Sequence, residues 1–223
     1  MGTYLHTQLA AIEYSNVLWH GLLMTLQISS IGILGSIIVG LGGASLVELR
    51  VPVLRQIVRV FVEFIRNTPL LVQIFFLFFV APTFGLTLSA FEVGCISLIA
   101  WGGAYNVENF RAGLQAVGPR YMEAARALGF SQRQAFTNVT IPIGIRLSIP
   151  GLTNTLISVL KNSALMLGIG LAELTFVVQR LSAETFRTIE LYVVLGVVYL
   201  VLVFALSSVM HLVGRRYALG AGV

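Results

Sequence analysis

From Tyr14 to Val47 the chain carries no Asp, Glu, Lys or Arg. About 20 apolar residues are enough for a helix to cross the hydrocarbon of a bilayer, so a first span lies within this run. The bilayer then limits the rest of the chain. Without water, every backbone N–H and C=O must be bonded inside the protein, which leaves helices or closed barrels. No alternating ten-residue segments of the barrel type occur. The expected fold class is all-α, a polytopic membrane helical bundle. Composition agrees, with 57% hydrophobic and 10% charged residues. The net charge of +5 reads as a topology signal rather than as affinity for nucleic acid. Cys95 is the single cysteine, which excludes an intrachain disulfide. No Lys or Arg precedes the first apolar run, so no cleaved signal peptide is expected.

Gly32, Ser36, Gly40 and Ala44 recur every four residues in the first span. Such a stripe lets a neighbouring helix approach closely; a pore-lining groove is the alternative. Glu48–Asn67 reads as a surface segment leading into a second span that ends near Pro82. A short uncharged loop, Ala81–Ala90, leads into a third span from about Leu88 to Phe110. A fourth starts near Phe136 and passes Pro142 and Pro150. Gly168–Glu190 reads as a charged connection, and a fifth span runs from about Leu191 to Val213. Arg50, Arg55, Arg59, Arg66, Arg111, Arg120, Arg126, Arg133, Arg215 and Arg216 then fall on one side, and only Arg180 and Arg187 on the other. The positive-inside rule orients the five spans N-out and C-in.

Tyr121–Pro142 is a polar island in this hydrocarbon. Pro119 suits the first position of a helix, where a missing N–H costs nothing. Gly129 suits its left-handed cap, so a helix is expected from Arg120 to Leu128. Tyr121, Ala124, Ala125 and Leu128 are spaced to share one face. Glu123 lies toward the positive end of the helix dipole and Arg126 toward the negative end. Ser131 and Gln134 have capping-box spacing, so a second helix starts there. The first helix is too short and too charged to span a membrane; it is a surface helix shaped to dock.

The order Glu123-Ala124-Ala125, Gly129, Val139-Thr140-Ile141-Pro142 resembles the EAA loop of ABC importer permeases, with Val139 and Ile141 as conservative departures from the usual ending. Arg66-Asn67-Thr68-Pro69-Leu70-Leu71-Val72-Gln73, Gly103 to Arg111 and Lys161-Asn162-Ser163-Ala164-Leu165 are similar to stretches of the polar amino-acid permeases within that family. The resemblance runs from about Leu23 to Arg216. It implies a MetI-like permease fold, with residues 1–223 as one transmembrane domain and a coupling loop at about 119–142. Tyr121, Glu123, Ala124, Ala125, Arg126, Leu128 and Gly129 would then seat on an ATPase. The implied partners are two ABC ATPase subunits carrying ATP and Mg, a second permease chain (identical or paralogous), an extracytoplasmic amino-acid-binding protein, the amino-acid substrate and the lipid membrane.

A P-loop needs glycines ahead of a Lys–Ser/Thr pair. The only lysine, Lys161, follows Val159-Leu160, so this chain is not expected to be the ATPase, nor to hold a cofactor of its own. His6, His20 and His211 are scattered and form no metal-binding motif. Polar groups at membrane depth usually face protein or water. The candidates are Glu63, Gln73, Glu108, Asn154, Lys161, Asn162 and Ser163. Asn154 and Lys161 share a helical face with Ser158, and Glu108 and Arg111 are spaced to pair. In a permease these groups would line the path of a zwitterion, Lys161 drawing its carboxylate and Glu63 or Glu108 its ammonium. Interhelical hydrogen bonding is the alternative for each. Rival readings are an ion-driven secondary transporter, which calls for inverted repeats that the halves do not display, and a structural membrane subunit without its own pathway.

Overall fold

The computed structural model describes residues 14–48 and 52–217; Arg50 and His6 lie outside the described residues. The described chain is helical throughout: α1 (Ser15–Glu48), α2 (Pro52–Asn67), α3 (Leu70–Phe75), α4 (Ala90–Gln115), α5 (Pro119–Ala127), α6 (Gln132–Ala135), α7 (Ile141–Asn162), α8 (Leu174–Thr185) and α9 (Thr188–Tyr217). A π-helical turn over Phe136–Thr140 joins α6 to α7 without a break, and a 3-10 turn extends α7 over Ser163–Ile169.

α4 is the axis of the bundle, packed against α1 on one side and α7 on the other. The small-residue stripe is what lets α1 approach. Gly32, Ser36, Gly40 and Ala44 are all buried. A Cβ at Gly32 would stand 2.8 Å from Leu98 Cβ, and one at Gly40 would strike Asn106. Ser36 also accepts a hydrogen bond from Asn106 Nδ2 at 3.1 Å. The stripe therefore serves helix packing rather than a pore. A second apolar cluster ties Leu18 of α1 to Leu174 and Val178 of α8 and Leu191 of α9.

Three helical runs are long and apolar enough to cross a membrane: Ser15–Glu48, Gln132–Ile169 and Thr188–Arg216. A fourth is made by Pro52–Asn67 with Leu70–Phe84, bent by 106° between them, if the pair is one span. Among the described residues α4 falls short of that apolarity, although its 26 residues measure about 39 Å. It carries Glu92, Asn106, Glu108, Asn109 and Arg111. Because its neighbours in the chain cover it, α4 does not need the lipid-compatible surface by which a span is recognised.

The stretch read as a charged connection, Gly168–Glu190, is different in the structure. It contains α8, a two-sided helix that buries Val177, Val178 and Leu181. Its N-cap is Glu173, whose carboxylate accepts from the N–H groups of Thr175 at 2.9 Å and Phe176 at 2.7 Å. Glu173, within the stretch read as a charged connection, is a fully buried cap. Thr25 of α1 (3.4 Å) and Tyr199 of α9 (3.3 Å) add hydroxyl donors to it, and Leu174 N–H donates to Thr25 Oγ1 at 3.0 Å. Burial pushes the Glu173 carboxyl above the usual carboxylate range, against the pull of the two backbone N–H groups.

Candidate functional site

Two features stand out as functional candidates. The first is α5 and its cap. Pro119 occupies the first turn as expected, and the helix ends one residue earlier than the expected Leu128. Gly129 follows with φ +84, a backbone conformation that costs a residue with a Cβ about 1–2 kcal/mol. Ser131 accepts from Gln134 N–H, and the Gln134 side chain accepts from Ser131 N–H, completing the capping box.

The face of α5 turned to the bundle is not the Tyr121–Ala124–Ala125–Leu128 stripe. Ala125 is buried and Met122 half-buried, with the Thr140 hydroxyl 3.2 Å from Met122 Sδ. Tyr121, Glu123, Ala124 and Arg126 are exposed, and Leu128 is exposed to 78%. Met122 and Ala125 are three apart and set the helix down, while Tyr121 and Leu128 are carried outward. Glu123 lies in that outward surface too. Tyr121, Leu128 and Phe130 thus add exposed apolar side chains along and just beyond α5. Beneath α5, a cavity of about 980 Å3 is lined by Glu48, Leu114, Met122, Arg133, Phe136 and Thr140.

The second feature is a pocket of about 370 Å3 between α2 and α4, lined by Val62, Glu63, Arg66, Asn67, Tyr105 and Glu108. It unites Glu63 and Glu108, two of the residues singled out in the sequence. Glu108 is paired with Arg111 at 2.9 Å, as their spacing predicts. The Arg66 guanidinium lies 5.1 Å from the centroid of the Tyr105 ring, within cation–π range. The pocket thus presents carboxylates, a guanidinium and an aromatic face at one place. Tyr105 lay in a recognisable stretch of sequence, but nothing in its own type marked it as a pocket wall.

The other sequence candidates are dispersed. Gln73 Nε2 donates to Ile65 O (3.0 Å), Thr68 O (3.2 Å) and Thr68 Oγ1 (2.7 Å). Its amide nitrogen brackets the bend between α2 and α3, which explains a glutamine within an apolar run. Thr68 donates to Phe64 O at 2.8 Å on the same bend and does not cap α3. Ser163 is buried and donates to Leu160 O at 2.7 Å. Asn162 is half-buried beside it, and Lys161 is exposed on α7. Asn154 lines a separate cleft between α7 and α9. Sequence reasoning missed a polar chain across α4: Asn109 donates to Asn106 Oδ1 at 3.2 Å and to Thr155 Oγ1 of α7 at 2.8 Å. The three-residue spacing of the two asparagines was the available signal.

Residues 32–219 match the family model described as "Binding-protein-dependent transport system inner membrane component". The chain belongs to this family. It is 33% identical over 196 residues to the probable glutamine ABC transporter permease protein GlnM of Bacillus subtilis (strain 168), covering 88% of this chain and 91% of that one. It is 31% identical over 202 residues to the glutamine transport system permease protein GlnP of Escherichia coli (strain K12), covering 90% and 92%. Among solved structures, an amino acid ABC transporter crystallised with histidines superimposes with a TM-score of 0.86 at 33% identity, over 93% of this chain and 97% of that one. The MetNI methionine ABC transporter in an inward-facing form shares the fold, with a TM-score of 0.78 at 18% identity. The family is one of permease subunits, and the chain is a membrane-spanning permease component and not itself the ATPase.

Proposed function

We propose that this permease carries polar amino acids inward across a bacterial inner membrane, driven by ATP hydrolysis on partner subunits. In this reading residues 1–223 form one transmembrane domain with five crossings, N-out and C-in, α4 being the crossing that apolarity alone misses. Two ATPase subunits holding ATP and Mg, a second permease chain and an extracytoplasmic amino-acid-binding protein complete the machine. Relatives whose names specify glutamine or amino-acid transport support the substrate class.

The observation that carries the coupling role is α5: a helix outside the spans, seated through Met122 and Ala125 and offering Tyr121, Glu123, Ala124, Arg126 and Leu128 outward. The ATPase covers that surface. Movement of α5 passes through the Gly129 turn to α6, and from α6 the π turn continues into α7 without a break. For the substrate, Glu63 and Glu108 suit the ammonium and Arg66 the carboxylate, with Tyr105 as a wall. Lys161, exposed on α7, serves as a second carboxylate attractor along the path.

Gly129→Asp tests the coupling role. The substitution places a Cβ at φ +84 and a charge on the docking surface. Uptake in proteoliposomes is expected to fall at least tenfold, and ATPase activity to lose its response to the loaded binding protein, while the spans remain inserted. Glu123→Lys should give the same pattern in milder form. Full stimulation and uptake in Gly129→Asp would remove α5 from the coupling step.

A further inference from the structure

A cleft of about 590 Å3 opens between α7 and α9. It shares no lining residue with the cavity under α5 or the Glu63–Glu108 pocket. Arg146 and Asn154 enter it from α7, and His211 and Arg215 from α9, with Ile149 and Met210 between them. The helices approach closely here: a Cβ at Gly214 would lie 3.5 Å from Ile149 Cγ2. No carboxylate lines the cleft. Neither Arg146 nor Arg215 takes part in the ion pairs Glu108–Arg111 and Arg180–Glu184, and no carboxylate of the cleft faces them. Both guanidiniums are exposed in the cleft, and two like charges lining one cleft favour an anion between them.

Position and surroundings narrow the class of anion. Arg215 is two residues from the end of α9, and Arg146 lines the same cleft from the part of α7 nearest α6. Both therefore lie at the end of the bundle that carries α5, at the depth of the interfacial region. Beside the cleft Leu147, Val209 and Leu212 are exposed, the last two to more than half. A zwitterionic amino acid would leave its ammonium without a carboxylate here, and a small inorganic anion would leave the apolar flank uncovered. An amphipathic anion satisfies both parts. Basic pockets between transmembrane helices are where acidic headgroups bind.

The geometry points to a binding site for an anionic phospholipid in the cleft between α7 and α9. Arg146 and Arg215 hold the headgroup phosphate, His211 and Asn154 add hydrogen bonds, and the acyl chains lie along Leu147, Val209 and Leu212. The lipid fastens α9 to α7 at the end where α7 leaves the coupling loop.

The test is native mass spectrometry of the intact permease–ATPase complex in neutral detergent, titrated with dioleoyl phosphatidylglycerol or dioleoyl phosphatidylcholine. Wild type should bind phosphatidylglycerol at least tenfold more tightly. Arg146→Gln with Arg215→Gln should bring it to the phosphatidylcholine level, whereas Arg59→Gln, on exposed α2, should not. Equal binding of the two lipids by wild type, or undiminished binding by the double variant, would overturn the site. Displacement of the lipid by millimolar inorganic phosphate would also overturn it, in favour of a soluble anion. Should the double variant fail to assemble, Leu212→Trp in the otherwise native complex is read instead. Its fluorescence should be quenched by brominated phosphatidylglycerol at least tenfold more efficiently than by brominated phosphatidylcholine. Equal quenching, or none because a second permease chain covers the cleft, counts against the proposal.

Discussion

α9 and α4 are 30 and 26 residues long, and they stand in opposite surroundings. α9 touches its own chain mainly through α7 and α8. Val193, Val197, Leu200, Val201, Phe204 and Leu212 are all open on its surface. α4 is enclosed by α1 and α7, and residues such as Gly102, Gly103, Ala104, Asn106 and Val107 are buried. The helix facing lipid must be apolar on nearly every side. The enclosed helix must be small where neighbours approach, and it tolerates amides because their partners are built in. Hydropathy therefore marks the helices that this chain leaves open on its surface; the one at the centre is packed through its small residues.

The comparison is broken most severely at glycine. A Cβ at Gly113 of α4 would strike Ser148 Oγ and the Gly144 carbonyl of α7, and a helix carbonyl has nowhere to move. Gly113→Leu is expected to abolish assembly. Gly196 of α9 has nothing within 4 Å of the same atom, so Gly196→Ala should be neutral or gain up to about 1 kcal/mol of helix propensity. Thermal stability of the purified complex, followed by size-exclusion chromatography, checks both. Loss of assembly in Gly196→Ala would mean that α9 is as closely covered as α4.

A smaller effect is expected at the amides. Asn106 is fully buried, donating to Ser36 and accepting from Asn109. Asn106→Ala should cost about 1–3 kcal/mol, the penalty of leaving buried partners unsatisfied. Asn109→Ala, with a half-buried side chain, should cost less. A denaturant series on both variants distinguishes a linked network from independent bonds.

The smallest effect is a slope. The buried Glu173 carboxyl keeps its proton to higher pH than it would in the unfolded chain. The folded state then binds more protons between the ordinary carboxylate value and the raised one, so stability falls as pH rises through that window. It is fully retained below the ordinary value. Glu173→Gln should flatten the slope while keeping the Thr25 and Tyr199 contacts. Melting temperature against pH for the two proteins is the measurement, and an unchanged slope would assign the dependence to another group.

The same contrast separates what was legible in the sequence from what was not. Apolar length revealed α1 and α9, and local chemistry revealed α5, its proline start, the left-handed Gly129 and the Ser131–Gln134 box. These depend on residues close together in the chain. α8 was missed because its charges resemble those of a loop until Glu173 is seen to cap it from inside. Which side of α5 faces outward was not legible, because period alone does not say which side a bundle occupies; Met122, half-buried, settles that. Glu63 and Glu108 were legible as polar groups among apolar ones, but their meeting with Arg66 and Tyr105 depends on how α2 crosses α4.

The unbroken passage from α6 to the end of the 3-10 turn also has a mechanical meaning. Gln132–Ile169 is one run of 38 residues, about 57 Å of helical rod at the α-helical rise. A tilt of about 5° at the α5 end would move the far end by about 5 Å, close to one helical pitch. Gly170, in a left-handed conformation at φ +75, ends the rod, and three residues later Glu173 anchors the chain to α1 and α9. In the proposed coupling role the run has the parts of a lever: an end that begins beside α5, a long helical arm carrying Pro150, and a tether that limits its throw.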